Sequence, residues 1–223
     1  DIDKKTKHFL SFMRGMHNHR RALASYFEYN ELWYNNIISF LKIEWDYTGA
    51  IPEMLPEKYW ESHSKLNDIE AVEIDTQNLK NKGGFSTTFT SKWEFYEETF
   101  LSVVSETLYD NDKLYFTEKI CKPIMCLHPF ILVTSPHSLK KLQEFGFKTF
   151  HPFIDESYDN EEDGMKRMQM IFDELDKFRA RPIQELKDWW KEILPILEHN
   201  QKVFLKFGQN KSKRVKFMEK LND

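Results

Sequence analysis

A chain of 223 residues, 40% hydrophobic and 15% aromatic with only seven glycines, carries enough apolar material for one large domain or a domain with an appendage. It has no run of about 18 apolar residues and no signal-peptide pattern, which argues against a membrane span and for a cytoplasmic protein. A net charge of -4 excludes a global nucleic-acid footprint, and the spacing of Cys121 and Cys126 excludes a Cys-x-x-Cys metal or redox pair.

Residues 7–12 read as a first strand, apolar and short, running into a polar, cationic turn over 13–19 that contains Arg14 and His17. Residues 20–29 follow with helical spacing, Leu23, Tyr26 and Phe27 on one face. A strand that feeds a helix through such a turn is a usual place for a phosphate. An arginine in the first turn opposes the helix dipole unless an anion joins it. Of the neighbours Arg20 and Arg21, the spacing to Leu23 and Phe27 puts Arg20 at the edge of the buried stripe and turns Arg21 toward solvent. Residues 33–41 read as a second strand, completing a strand-helix-strand unit of a parallel sheet. The pattern then weakens over 44–84. Prolines, acidic residues and scattered aromatics there indicate an excursion from the sheet, reaching about residue 90, with one short helix over 57–66. Its Trp45, Tyr47, Tyr59 and Trp60 suit either anchors that tie a long loop to its own domain or a platform for a ligand ring.

A helical pattern over 91–98 leads into an apolar run at 101–104, and a second such run follows at 129–133, with helical character between them. Glu106 stands just beyond the first run. Tyr115-Phe116-Thr117-Glu118-Lys119 stands where the intervening helix should start. Thr117 can cap that helix, leaving free N–H groups and a positive dipole end to which Lys119 adds a full charge, so the turn suits a diphosphate. Glu118 would repel an anion, and its better use is to accept hydrogen bonds from a ribose diol. Next come a turn at 134–138, a helix over 139–145 closed by Gly146, and a last short strand at 148–150. The acidic stretch 155–163 reads as charge capping a helix over 164–178 rather than as a metal site. From Pro182 the chain is helical, with Leu186, Trp189, Ile193 and Leu197 on one apolar face, and it ends in a basic run at 211–220. The fold expected is α/β: a Rossmann-like, mainly parallel sheet flanked by helices over 1–180, with a helical extension over 181–223. Ligands of such sheets bind at the carboxyl ends of the strands, where both the 13–21 turn and the 106–119 segment would lie.

Two blocks in this order resemble a known family. Glu106 at a strand end, the Tyr115-Phe116-Thr117-Glu118-Lys119 block opening a helix, and Pro129-Phe130-Ile131-Leu132-Val133 are similar to the sugar-nucleotide half of GT-B glycosyltransferases of the α-1,3-fucosyltransferase type. Upstream, a strand, a polar turn and Arg20-Arg21-Ala22-Leu23-Ala24-Ser25-Tyr26-Phe27 match the way the family opens this half. The similarity covers roughly residues 7–41 and 95–150. It implies one half of a GT-B fold that transfers a sugar from a nucleotide diphosphate sugar, commonly GDP-linked, to an acceptor hydroxyl. No metal or further cofactor is implied. Arg20 would be the catalytic cation, stabilising the leaving diphosphate together with Lys119, and Arg14, His17, Glu106, Tyr115, Thr117 and Glu118 would line the donor site. The catalytic base belongs to the other half in this family, so a preceding domain or a partner chain is expected; the acceptor is not indicated. Two readings from other classes stay open: an inactive module of this fold serving as a binding or structural component of a larger assembly, and a nucleic-acid-modifying or nucleic-acid-binding protein that uses the basic C-terminal run.

Overall fold

A computed structural model describes residues 1–13, 17–40, 50–69, 93–110 and 113–208. Strands β1 (Lys7–Met13), β2 (Ile37–Phe40), β3 (Thr99–Ser105) and β4 (Phe130–Val133) form one sheet in the order β2-β1-β3-β4, every neighbour parallel. The helices are α1 (Asn18–Tyr29), α2 (Trp60–Lys65), α3 (Glu94–Glu98), α4 (Glu118–Met125), α5 (Ser138–Glu144), α6 (Gly164–Arg179) and α7 (Ile183–Gly208). Every residue of β2, β3 and β4 is buried, as expected of parallel strands covered on both faces.

Register decides which side chains share a face. Phe9 lies opposite Leu101, Val103 opposite Ile131 and Met13 opposite Phe40, so these residues form one apolar surface. Helices α1 and α6 cover it. Phe9 meets Phe27 of α1 and Phe178 of α6 at ring separations of 6.5 and 5.8 Å, and Tyr26 stacks on Phe172 at 4.6 Å. On the opposite face Leu10, Ile37 and Tyr96 form a smaller cluster with Phe12, Phe95 and Cys126. Helix α7 packs against α4 and delivers Leu186, Trp189, Ile193, Leu197 and Phe204 to the main core.

Two buried polar side chains of the sheet, His128 and Lys5, are fully engaged with its backbone and hydroxyls. His128, just ahead of β4, donates from Nε2 to the Thr99 carbonyl at 2.8 Å and accepts at Nδ1 from the Ser102 hydroxyl at 2.8 Å, and complete burial holds its pKa well below the ordinary value. Lys5 donates to the carbonyls of Tyr96 and Thr99 at 2.7 and 2.5 Å, which closes the turn from α3 into β3; burial lowers its pKa to about 8.

The structure differs from the sequence expectation in several places. Strand β2 begins at Ile37 rather than at residue 33, because Asn36 accepts the Phe9 N–H at 2.8 Å through its side chain and Trp33 packs edge-on against Phe27. Helix α3 begins at Glu94. Residues 148–150 form no strand. The Lys148 N–H and carbonyl are instead bonded to the Asn200 side chain of α7 at 2.7 and 2.8 Å, and the Phe150 N–H donates to Glu156 at 2.6 Å, so side chains replace a neighbouring strand. Tyr59 is fully buried against Tyr26 and Phe172, which makes it an anchor of the excursion. Trp45, Tyr47, most of the excursion and the basic run at 211–220 lie outside the described residues.

Candidate functional site

The connection from β1 through α1 leads outward to β2, and that from β3 through α4 leads outward the other way to β4. The strand order therefore reverses between β1 and β3. Right-handed crossovers that leave in opposite directions lie on opposite faces of the sheet, and this opens a crevice between the carboxyl ends of the two central strands.

Glu106 follows the last residue of β3, fixed there by its N–H bond to the Val133 carbonyl at 3.1 Å. Its side chain is fully buried. One carboxylate oxygen accepts the Thr117 N–H at 3.1 Å and the other accepts the Thr117 hydroxyl at 2.6 Å, with the Lys119 ammonium 3.6 Å away. Burial raises the Glu106 pKa, and the Lys119 charge and the two Thr117 bonds oppose that rise. Lys119 also donates to the hydroxyls of Thr117 and Thr107 at 3.0 and 3.4 Å while keeping 24% of its side chain exposed, so it is held in place yet reaches solvent.

Across the crevice Arg20 is 3% exposed, with Nη2 donating to the carbonyls of Glu106 and Ser105 at 3.0 and 3.3 Å and Nε to the Ser105 hydroxyl at 3.2 Å. His19 donates from Nε2 to the Glu106 carbonyl at 2.9 Å; burial lowers its pKa to about 3. His17 is exposed at the N-cap of α1, and its pKa is lowered by partial burial and by the charges of Arg20 and Lys119.

Arg20, Glu106, Thr117, Glu118, Lys119 and His17 thus gather beyond the carboxyl ends of β1 and β3. Glu118 is exposed at the first position of α4, where its charge still acts on Arg20 and Glu106. Tyr115 is 44% exposed, and Arg14 lies outside the described residues. Two expectations need correction. Arg21 does not face solvent: it is 4% exposed, donating to the Ala50 carbonyl and lying 3.2 Å from His63, because residues 50–65 fold over that side of α1. The N–H groups expected free at the start of α4 are in part engaged, since Thr117 N–H binds Glu106 and Lys119 N–H donates to the Thr117 hydroxyl at 3.3 Å. It is α1 that starts without a capping side chain, as His17 makes no cap bond.

Sequence reading passed over His19, Ser105 and Tyr109. His19 lies one turn before Leu23 and so on the buried stripe, a signal that was legible; the other two lie beside a strand end, where periodicity is silent. Apart from these residues, an open pocket of about 440 Å³ is lined by Glu53, Met54, Asp110, Asp163, Met165 and Arg167 among others. Among the described residues no group of three or more His, Cys, Asp or Glu is placed to hold a metal ion, and no helix is long and apolar enough to cross a membrane. Comparison with known protein families, with curated proteins and with solved structures finds no match to this chain.

Proposed function

We propose that the chain binds a nucleotide diphosphate sugar in the crevice between β1 and β3 and serves sugar transfer to an acceptor hydroxyl, as the sugar-nucleotide half of a GT-B glycosyltransferase of the α-1,3-fucosyltransferase type. The convergence of Lys119 and Arg20 on the uncapped start of α1, at the point where the strand order reverses, carries this reading. A diphosphate there would meet helix N–H donors, a dipole end and a solvent-reaching ammonium together. As the glycosidic bond breaks, negative charge grows on the leaving diphosphate, and cations already fixed in position stabilise it without reorganising. Arg20 has that fixity through its bonds to Ser105 and Glu106. Glu118, exposed at the head of α4, is the acceptor we assign to the ribose diol.

Calorimetry with GDP, UDP and their sugars, combined with an assay for released nucleoside diphosphate, tests the proposal. Lys119→Ala should weaken diphosphate binding by about 1.5 to 3 kcal/mol, the range for a charge-assisted hydrogen bond. Equal affinity in the variant removes Lys119 from the site, and a parent chain that binds no nucleoside diphosphate sinks the whole reading. Binding without release assigns recognition alone to this chain.

A further inference from the structure

Four flat groups form a column beside the crevice. The rings of His17 and His19 are stacked at 5.7 Å with 19° between their planes, His19 and Tyr109 are stacked at 5.4 Å with 10°, and the Arg167 guanidinium lies 4.3 Å from the Tyr109 ring centre. The inner three are 4%, 3% and 1% exposed. They are also bonded in place: His19 to the Glu106 carbonyl at 2.9 Å, the Tyr109 hydroxyl to the Gly164 carbonyl at 2.8 Å, and Arg167 to the carbonyls of Tyr109 and Glu161, each at 2.7 Å. The column is therefore a rigid pillar, and its outer end is the exposed ring of His17.

His17 occupies the N-cap of α1, yet its side chain caps nothing and stacks instead. One face of the His17 ring is thus spent on the pillar, and the exposed ring closes its outer end. We propose that this outer face of His17 is the stacking platform for the base of the bound nucleotide; the assignment rests on the nucleoside diphosphate reading above and adds the base subsite to it. A pillar of three buried groups behind the ring means that stacking orders little that is not already ordered, which favours affinity. Partial burial and the neighbouring charges of Arg20 and Lys119 keep the imidazole neutral at neutral pH, so it offers a ring face rather than a third cation. Those two cations also mark the phosphate end, and the ribose would span from there to the ring.

Calorimetry on the full chain with GDP, UDP and inorganic pyrophosphate, for the parent, His17→Ala and His17→Phe, decides the matter. His17→Ala should lose roughly 5- to 150-fold in GDP affinity, the range for one base stacked on an aromatic ring. His17→Phe, which keeps a flat ring, should restore most of the loss, and pyrophosphate affinity should be the same in all three proteins. If His17→Ala binds GDP and UDP as the parent does, the platform is overturned while the diphosphate site stands. An equal loss for GDP and pyrophosphate places His17 on the phosphates and also overturns the platform. A parent that binds none of the three probes overturns both proposals. His17 is exposed, so thermal melting of the variants should match the parent and exclude misfolding as the cause.

Discussion

Glu106 orders the head of a helix from a position closed to solvent. Both of its oxygens are turned onto the head of α4, and the residue has no exposed surface. We therefore assign it to positioning, where sequence reading had placed it among the ligand contacts. Its raised pKa means that the folded chain holds the proton more tightly than the unfolded one. Stability should accordingly fall as pH rises from the ordinary glutamate value of 4.5 to the raised value, and stay level beyond it. Glu106→Gln removes that titration, so melting curves of the variant across about pH 4 to 8 should lack the fall; parallel profiles for parent and variant would refute the assignment. Lys119→Ala leaves the buried carboxylate with less compensation and should cost about 1 to 3 kcal/mol of stability at neutral pH, a cost that the double variant Lys119→Ala/Glu106→Gln should largely recover.

Among the elements, the segment after α5 is the most instructive. Gly146, with φ of +86°, lies just past the helix end in the left-handed region, and residues 148–150 after it are the ones expected from sequence to form a strand. They find no strand to join. Asn200, 2% exposed, offers its carboxamide oxygen and nitrogen to the Lys148 N–H and carbonyl, so one side chain on α7 does the work of a ladder partner. Asn200→Ala should destabilise the chain by roughly 1 to 2 kcal/mol, since Lys148 is exposed enough for water to make good part of the loss. Asn200→Asp, which turns the donor into a second acceptor facing the Lys148 carbonyl and buries a charge, should cost at least as much. Urea unfolding of the three proteins reads the order, and an alanine variant as stable as the parent would mean that the segment is held by its apolar packing alone.

For the molecule as a whole, α7 is what the other elements lean on. It carries five buried apolar side chains into the common core, binds residues 148 and 125 through Asn200 and Gln201, and reaches the first turn of the chain through Lys187 and Asp3 at 3.0 Å. A chain ending at residue 182 would expose the surfaces of Phe178 and α4 that this helix covers, at a cost on the order of 1.5 to 3 kcal/mol for each large side chain no longer buried. Such a truncation should lose its cooperative thermal transition and near-ultraviolet dichroism. A truncated chain that melts as sharply as the parent would show that 1–180 stands alone and that α7 is an appendage.

Local pattern determined both strand-helix-strand units of this protein and the neighbourhood of its candidate site, because apolar periodicity and helix-start chemistry act over a few residues and survive without a partner. The β1 and β3 runs, the Thr117 cap and the pairing of an arginine helix with a Thr-Glu-Lys helix all belong to that level. What only the tertiary structure decided was where charge could be left in water. Arg21 reads as a solvated residue until Ala50 and His63, 29 and 42 positions away, close over it. Glu106 reads as a ligand contact until α4 seals it, and residues 148–150 read as a strand until the side chains of Asn200 and Glu156 take their hydrogen bonds. Burial of a polar group is settled by whichever distant segment comes to lie on it, and that information is spread along the chain at separations no local pattern spans.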